Sequence, residues 1–412
     1  MLPRFEVAAI RRQFPALALT DAGKPRIYFD NPAGTQVPQR VIDRTVEALR
    51  DKNANLGGYF ITSTAASDLV EAAHVAMADF YNATSPEEII FGQNMTTLTL
   101  HFSRCLARRF KRGDEIILSR MDHDANVAPW LLLAEDMGLV VRWMEFNTDT
   151  YEFPVDALSK VLTNKTKLLA MGMASNCTGT IHDCAGFARE AKAAGALVYL
   201  DAVQYAPHER IDVQNLGADV VVSSAYKWFG PHMGILWARK ELLQETFAYK
   251  VRAVGEELPH KFETGTLSHE GMAGCLGAVE YLESLGHGET RKVRLESAWE
   301  AVTSYERHLT LNLINALRPI KGLTIRGVTS ANAMHRRVPT VSFTVDSVDP
   351  LHLAKHLAAE NMFVWSGHNY ALEPIKAMGL MDKGGVLRVG LAHYNTQSEV
   401  DIFVATLKHA LT

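Results

Sequence analysis

From Ile27 to about residue 265 the chain alternates short, unbroken apolar runs with longer amphipathic stretches, and this pattern constrains the fold more than any other feature. The runs 88–92, 115–119, 139–146, 167–174, 196–202, 218–224 and 234–239 have strand length; 64–82, 96–110, 125–137 and 183–194 read as helices. The helix over 183–194 starts at Asp183 as N-cap and stops at Gly195. Strands alternating with helices imply a mostly parallel sheet with helices on both faces. Burial on both faces explains why the strands are continuously apolar rather than alternating. The expected class is α/β: a large domain around a mostly parallel mixed sheet, and a smaller α+β C-terminal domain.

At 412 residues the chain exceeds one small core. Residues 1–25 read as an N-terminal amphipathic helix and linker that packs with the small domain; Phe5, Ala8, Ala9 and Arg12 share a turn pattern that Phe14-Pro15 ends. Residues 26–280 form the large domain and 281–412 the small one. Within them, 268–317 reads as one long helical stretch, with Leu295, Trp299 and Val302 on a buried face. Strands at 338–345 and 386–391 and helices at 349–360 and 397–411 follow. A net charge of −4 gives no electrostatic case for nucleic acid or an anionic membrane. The apolar stretch Val127–Ala134 is far too short to span a bilayer, and the first twenty residues lack a signal-peptide core. Cys105, Cys177, Cys184 and Cys275 show no CxxC spacing and read as free thiols of a cytoplasmic protein.

Candidate chemistry gathers at the ends of the strand runs, where open α/β sheets bind ligands. After 218–224 comes Ser223-Ser224-Ala225-Tyr226-Lys227-Trp228-Phe229-Gly230, a lysine among aromatics at a tight turn. A buried lysine has a lowered pKa and can form a Schiff base with a carbonyl, as lysines do with pyridoxal phosphate; a lysine reaching solvent from a strand end fits the segment equally well. Asp201 closes 196–202 and suits either a protonated pyridine nitrogen or a helix N-cap. His123 follows 115–119 and can stack on a planar cofactor or be a hydrogen-bonded loop residue; a metal site with Asp122 and Asp124 lacks a second motif, so no metal is expected. Asn94-Met95-Thr96 opens a helix whose free amides suit a phosphate or a simple cap. Asn176 follows another strand. Arg388, set among apolar residues, requires an anion: a substrate carboxylate or a structural partner.

Taken in order, these segments resemble the class V, fold-type I pyridoxal phosphate enzymes, and most closely the cysteine desulfurase/selenocysteine lyase group, over nearly the whole chain from Tyr28. The opening Tyr28-Phe29-Asp30-Asn31 matches that group's motif. The resemblance implies pyridoxal 5′-phosphate as cofactor, Lys227 as its Schiff-base lysine, and Asp201 behind the pyridine nitrogen with Gln204 nearby. It further implies His123 stacked on the ring, Asn176 at the phenolic oxygen, and Ser224 at the phosphate with Asn94, Met95 and Thr96. Tyr226 stands where the group usually has histidine. Arg388 is implied to bind the substrate carboxylate, ahead of a similar Tyr394-Asn395-Thr396. Gly265-Thr266 resembles a loop whose threonine reaches the phosphate across a dimer interface, implying a homodimer with composite sites.

The group's nucleophilic cysteine has no counterpart. The corresponding stretch is Val364-Trp365-Ser366-Gly367-His368-Asn369-Tyr370, with Tyr370 in the cysteine's place and Trp365 for an expected arginine. The expected activity is therefore that of a lyase at the β-carbon of a small amino acid without an enzyme persulfide: desulfination, deselenation, C–S lysis or β-decarboxylation. His368 and Tyr370, with Trp365 and Tyr59, are expected at the substrate end. A class V aminotransferase, an amino-acid epimerase and a C–C bond-forming enzyme use the same lysine, aspartate and arginine.

Overall fold

A seven-stranded sheet organises the chain from Ile89 to Ala238 in the computed structural model, which describes residues 5–411. Met1–Arg4 of the expected N-terminal segment, and Thr412, lie outside the described residues. Across the sheet the strands run Ile89–Gly92, Gly234–Ala238, Val220–Ser224, Leu197–Asp201, Thr166–Gly172, Glu115–Ser119 and Val140–Met144. Gly234–Ala238 is antiparallel to both neighbours and every other pairing is parallel. All strands but Gly234–Ala238 thus end at one edge.

The continuous apolar runs follow from burial on both faces. Along Thr166–Gly172, Leu169 and Met171 enter one core while Leu168 and Ala170 enter the other. Helices Met95–Leu106 and Ala128–Met137 cover one face through Phe102 and Trp130. Ile61–Tyr81, Cys184–Ala193 and His269–Glu283 cover the opposite face through Phe80, Phe187 and Leu282. Each buried ring or aliphatic side chain contributes about 2–3 kcal/mol. The edge strand Val140–Met144 differs: exposed Val140 and Arg142 alternate with half-buried Val141 and Trp143, and the strand is shorter than the run 139–146.

The stretch 268–317 is not one helix. His269–Glu283 ends at Ser284 and Arg291–Leu317 begins at the Thr290 N-cap. Gly286 lies in the break, where a Cβ would collide with the Arg294 carbonyl. The expected boundary at 280 falls inside the first of these helices. The helix Gln39–Asp51 was not anticipated from the sequence; it lies against His269–Glu283, with Gly277 packed on Val41.

A second sheet, fully antiparallel, runs Leu323–Arg326, Thr340–Val345, Val386–Gly390 and Trp365–Gly367. Helices Pro350–Ala359 and Gln397–Ala410 pack with it around Phe343, Leu357 and Phe403. A capping box between Thr396 and Glu399 starts the last helix. Arg291–Leu317 serves both cores: Leu295, Trp299 and Val302 join the large sheet's core, and Leu309, Leu313 and Leu317 the smaller one. Near the N-terminus, Arg11 donates to the Tyr394 carbonyl (2.7 Å) and pairs with Glu399 (3.0 Å). Phe14 meets Tyr394 at 4.7 Å between ring centroids. Among the described residues, no helix is long and apolar enough to cross a membrane.

Candidate active site

The common strand edge brings the predicted lysine and aspartate into one narrow slot, lined by Thr96, His123, Asn176, Asp201, Gln204 and Lys227. Lys227 ends a 3₁₀ turn, Ala225–Lys227, directly after the strand Val220–Ser224. The turn is held by Thr35, whose N–H donates to the Tyr226 carbonyl (3.0 Å) and whose hydroxyl accepts from the Phe229 N–H (2.8 Å). Phe229 takes a left-handed backbone (φ 72°), a strained conformation for a bulky residue. Lys227 Nζ donates to the carbonyls of Pro32 and Ala33, the latter at 2.9 Å. Burial, helped by the charge of Arg388 and opposed by Asp30 and Asp201, pulls its amine down to about 7.

Asp201 is the last residue of Leu197–Asp201, and its Oδ1 accepts from the Val203 N–H at 2.8 Å. Burial raises its pKa to about 6 against that hydrogen bond and the Lys227 charge. Gln204 Nε2 donates to Thr340 Oγ1 (2.9 Å), tying the slot to the smaller sheet.

His123 follows Glu115–Ser119 through a turn built on Asp122, whose carboxylate accepts from Ser119 Oγ (2.6 Å), the Gly172 N–H (2.8 Å) and Asn126 Nδ2 (2.7 Å). These three partners make Asp122 a turn-former, and no metal-binding cluster occurs among the described residues. His123 Nδ1 accepts from the Ala125 N–H at 3.0 Å, which leaves the ring proton on Nε2. Burial, reinforced by Lys227 and Arg388, lowers its pKa to about 3, so the ring is neutral. Tyr370 stacks on it at 5.5 Å and 24°.

Arg388 occupies the middle of Val386–Gly390 and is buried. Its Nη2 lies 3.6 Å from Asp30 Oδ1, its Nη1 donates to the Asn176 carbonyl at 3.3 Å, and its Nε has no partner. Asn176 Nδ2 donates to the Asn369 carbonyl (2.8 Å), while its Oδ1 is buried without a partner. Such orphaned polar atoms are costly unless a ligand meets them.

Other predicted residues stand apart. Met95 and Thr96 reach the slot, but Asn94 caps the helix by accepting from the Thr97 N–H (2.9 Å), and Ser224 is buried behind the wall, accepting from the Met95 N–H (3.0 Å). Tyr226 lines the slot with its ring stacked on His232 at 5.0 Å. Thr266 lies in a separate cleft with Gln93, Thr97 and His101. His368 does not line the cavities at Lys227; it packs edge-on against Tyr370. Tyr59 is fully exposed and away from the site. Sequence reasoning missed Asp30 as the anion facing Arg388, although a carboxylate at the end of the Tyr28-Phe29 strand was a usable signal.

This sheet, with a lysine and an aspartate at its strand ends, defines a fold-type I pyridoxal phosphate enzyme. The pattern of the family described as aminotransferase class-V matches residues 27–403, and the chain belongs to that family. It is 31% identical to cysteine desulfurases of Yersinia pestis (strain Pestoides F) and Yersinia pseudotuberculosis, over 98% of this chain and 98% of each relative. A cysteine desulfurase from Thermococcus onnurineus, in its apo form, superimposes with a TM-score of 0.88 at 25% identity, covering 99% of this chain and 98% of that one. The cysteine desulfurase CsdA from Escherichia coli gives 0.83 at 28% identity over 98% of both chains. The protein is thus a cysteine desulfurase-like, pyridoxal phosphate-dependent enzyme of class V.

Proposed function

We propose that this enzyme is an amino-acid lyase acting at the substrate's β-carbon without an enzyme persulfide. The observation that carries this reading is a lysine, an aspartate and an arginine gathered at one site that has no accessible thiol. All four cysteines are free and buried. Cys177, adjacent to Asn176, packs among Ala371, Ile375, Leu380 and Val386, and burial pushes its thiol up to about 12. Such a thiol stays protonated and is a poor sulfur acceptor. Tyr370 supplies none.

The residues present fit the cofactor. The helix Met95–Leu106 points its N-terminus at the slot, suiting a phosphate. Asp201 is a buried carboxylate that lacks a cationic hydrogen-bond partner, and Asn176 Oδ1 awaits a donor. Bound here, pyridoxal phosphate supplies an electron sink for charge leaving the substrate's Cα. Asp201 would hold a proton on the ring nitrogen by its charge, and His123, neutral, would lie against the ring. Arg388 binds the substrate carboxylate through its fork, and Asn176 orients the substrate beside it. Lys227 Nζ, with a pKa near neutrality, takes the Cα proton; a departing thiol or selenol takes a proton from it, whereas departing carbon dioxide takes none.

We further propose a homodimer in which Thr266 completes the partner's phosphate site. Support comes from the exposed Thr264–Thr266 segment and from the exposed apolar residues Ile42, Val46, Leu49, Phe60 and Ile61. An amino-acid substrate suits the slot beside Lys227 and Arg388, and a cytoplasmic setting suits the unpaired thiols. The test is purified holoenzyme with cysteine, cysteine sulfinate, selenocysteine, aspartate and S-substituted cysteines, with released sulfur, selenium, carbon dioxide and 2-oxo acids quantified. Turnover with loss of a β-group is expected for at least one. Transamination or racemisation alone, or no reaction at all, refutes the reading.

A further inference from the structure

The slot is continuous with a cavity of about 660 Å³, which shares Thr96, His123, Asn176, Tyr226 and Lys227 with it and adds Arg388 to the lining. With pyridoxal phosphate taking its share beside Lys227, the remainder is still larger than the side chain of cysteine or aspartate fills. Thr96, Asn176 and Asn369 are neutral polar residues of the lining, while its outer walls include Leu100, Ala128, Pro129, Leu132, Trp365 and Tyr370. The helix Ala128–Met137 supplies three of these, and Leu132 is 45% exposed, an apolar surface at a mouth that a purely polar substrate would leave uncovered. Trp365 and Tyr370 are also exposed, at 53% and 67%.

The charges of this cavity are as telling as its size. Lys227 and Arg388 are its only cationic side chains among the described residues. Arg388 already faces Asp30 and, in the proposed reaction, the substrate's own carboxylate. His123 carries no charge, and Asp124 adds a negative one. A second anionic group on the substrate would therefore meet a carboxylate, neutral polar groups and apolar walls, with no cation left to pair it.

We infer that the substrate is an uncharged side-chain amino acid carrying a bulky apolar or aromatic group beyond Cβ, of which S-aryl and S-alkyl cysteines are the class that β-lysis can cleave. The inference rests on the lyase reading for its chemistry but on the cavity alone for its side-chain class. For such a thioether the bonds balance without a second thiol. The Cα–H bond breaks, with the proton passing to Lys227 Nζ. The Cβ–S bond breaks with its electron pair on sulfur, which takes a proton and leaves as a free thiol. Water converts the remaining unsaturated amine to pyruvate and ammonium, with no net oxidation or reduction.

The test titrates holoenzyme with S-benzyl-L-cysteine, S-methyl-L-cysteine, L-cysteine sulfinate and L-aspartate. Binding is followed by intrinsic tryptophan fluorescence and cofactor absorbance, and thiol release is measured separately. S-benzyl-L-cysteine is expected to bind about tenfold or more tightly than each of the others, from burial of the phenyl group. Leu132→Asp should abolish that preference with the fold intact by circular dichroism. Equal or tighter binding of sulfinate or aspartate, or no gain of benzyl over methyl, overturns the inference. Tight benzyl binding upholds the side-chain class by itself, and loss of a β-group from none of the compounds refutes the lyase reading.

Discussion

Replacing Lys227 by methionine should change the stability of the cofactor-free protein in a pH-dependent way. The amine falls from 10.5 to about 7 on folding, chiefly because burial penalises its charged form. A lysine with a depressed folded-state value weakens the folded protein most fully below about 7, and the penalty disappears as pH rises through 10.5. A shift of this size corresponds to a ceiling of about 5 kcal/mol at roughly 1.4 kcal/mol per pH unit. Because the side chain is only partly buried, about half of that, ~2 kcal/mol, is the working figure. The hydrogen bonds from Nζ to the Pro32 and Ala33 carbonyls are lost at every pH, at about 1 kcal/mol each. They lower the variant's absolute stability but not its pH slope. Urea unfolding of both apo-proteins at pH 6, 8 and 10.5 measures the difference. The variant should gain about 2 kcal/mol relative to wild type on going from pH 10.5 to pH 6. A stability difference that stays constant over this range would refute a buried, near-neutral amine at Lys227.

Two further perturbations probe the surrounding charges. Arg388→Met leaves Asp30 without its cation and should weaken amino-acid binding roughly a hundredfold or more, read by cofactor-absorbance titration, with Arg388→Lys recovering only part because an ammonium lacks the planar fork. Glu263 accepts from His74 (2.8 Å), the Phe91 N–H (3.0 Å) and His260 (3.2 Å), and despite a burial penalty these partners hold its pKa at about 2. A carboxylate depressed from 4.5 stabilises the fold above 4.5 and loses that contribution as pH falls through about 2. Glu263→Gln should therefore cost about 3 kcal/mol at pH 7 and somewhat less than half of that at pH 3, by denaturant titration.

Sequence periodicity located the large sheet well, because strands buried on both faces are apolar at every position and bounded by turns. Lys227, Asp201, His123 and Asn176 were legible for a related reason: each follows directly from a strand end, and the parallel strands carry all of those ends to one edge. What escaped depends on partners distant in the chain. Asp30 and Arg388 are brought together where Asp30 bridges to Gly390 at the end of the smaller sheet, and the strand-end carboxylate, though a signal of a site, does not name its partner. The break at Gly286, by contrast, was legible in the sequence, as Gly286-His287-Gly288 followed by the Thr290 cap, and was passed over in favour of the helical character on either side. Asn94 and Ser224 were placed correctly along the chain, yet their oxygens are spent on backbone amides, a local competition that residue type alone does not decide.

The helix Arg291–Leu317 acts as a splint. Its first half is wedged into one core and its second half into the other, without an intervening loop. The two halves of the molecule are therefore poorly suited to hinge apart as rigid shells when a ligand arrives. Traffic to the lysine must pass through side-chain movement at the mouth, where Trp365 and Tyr370 stand, and the doorway rather than the building sets the pace of entry.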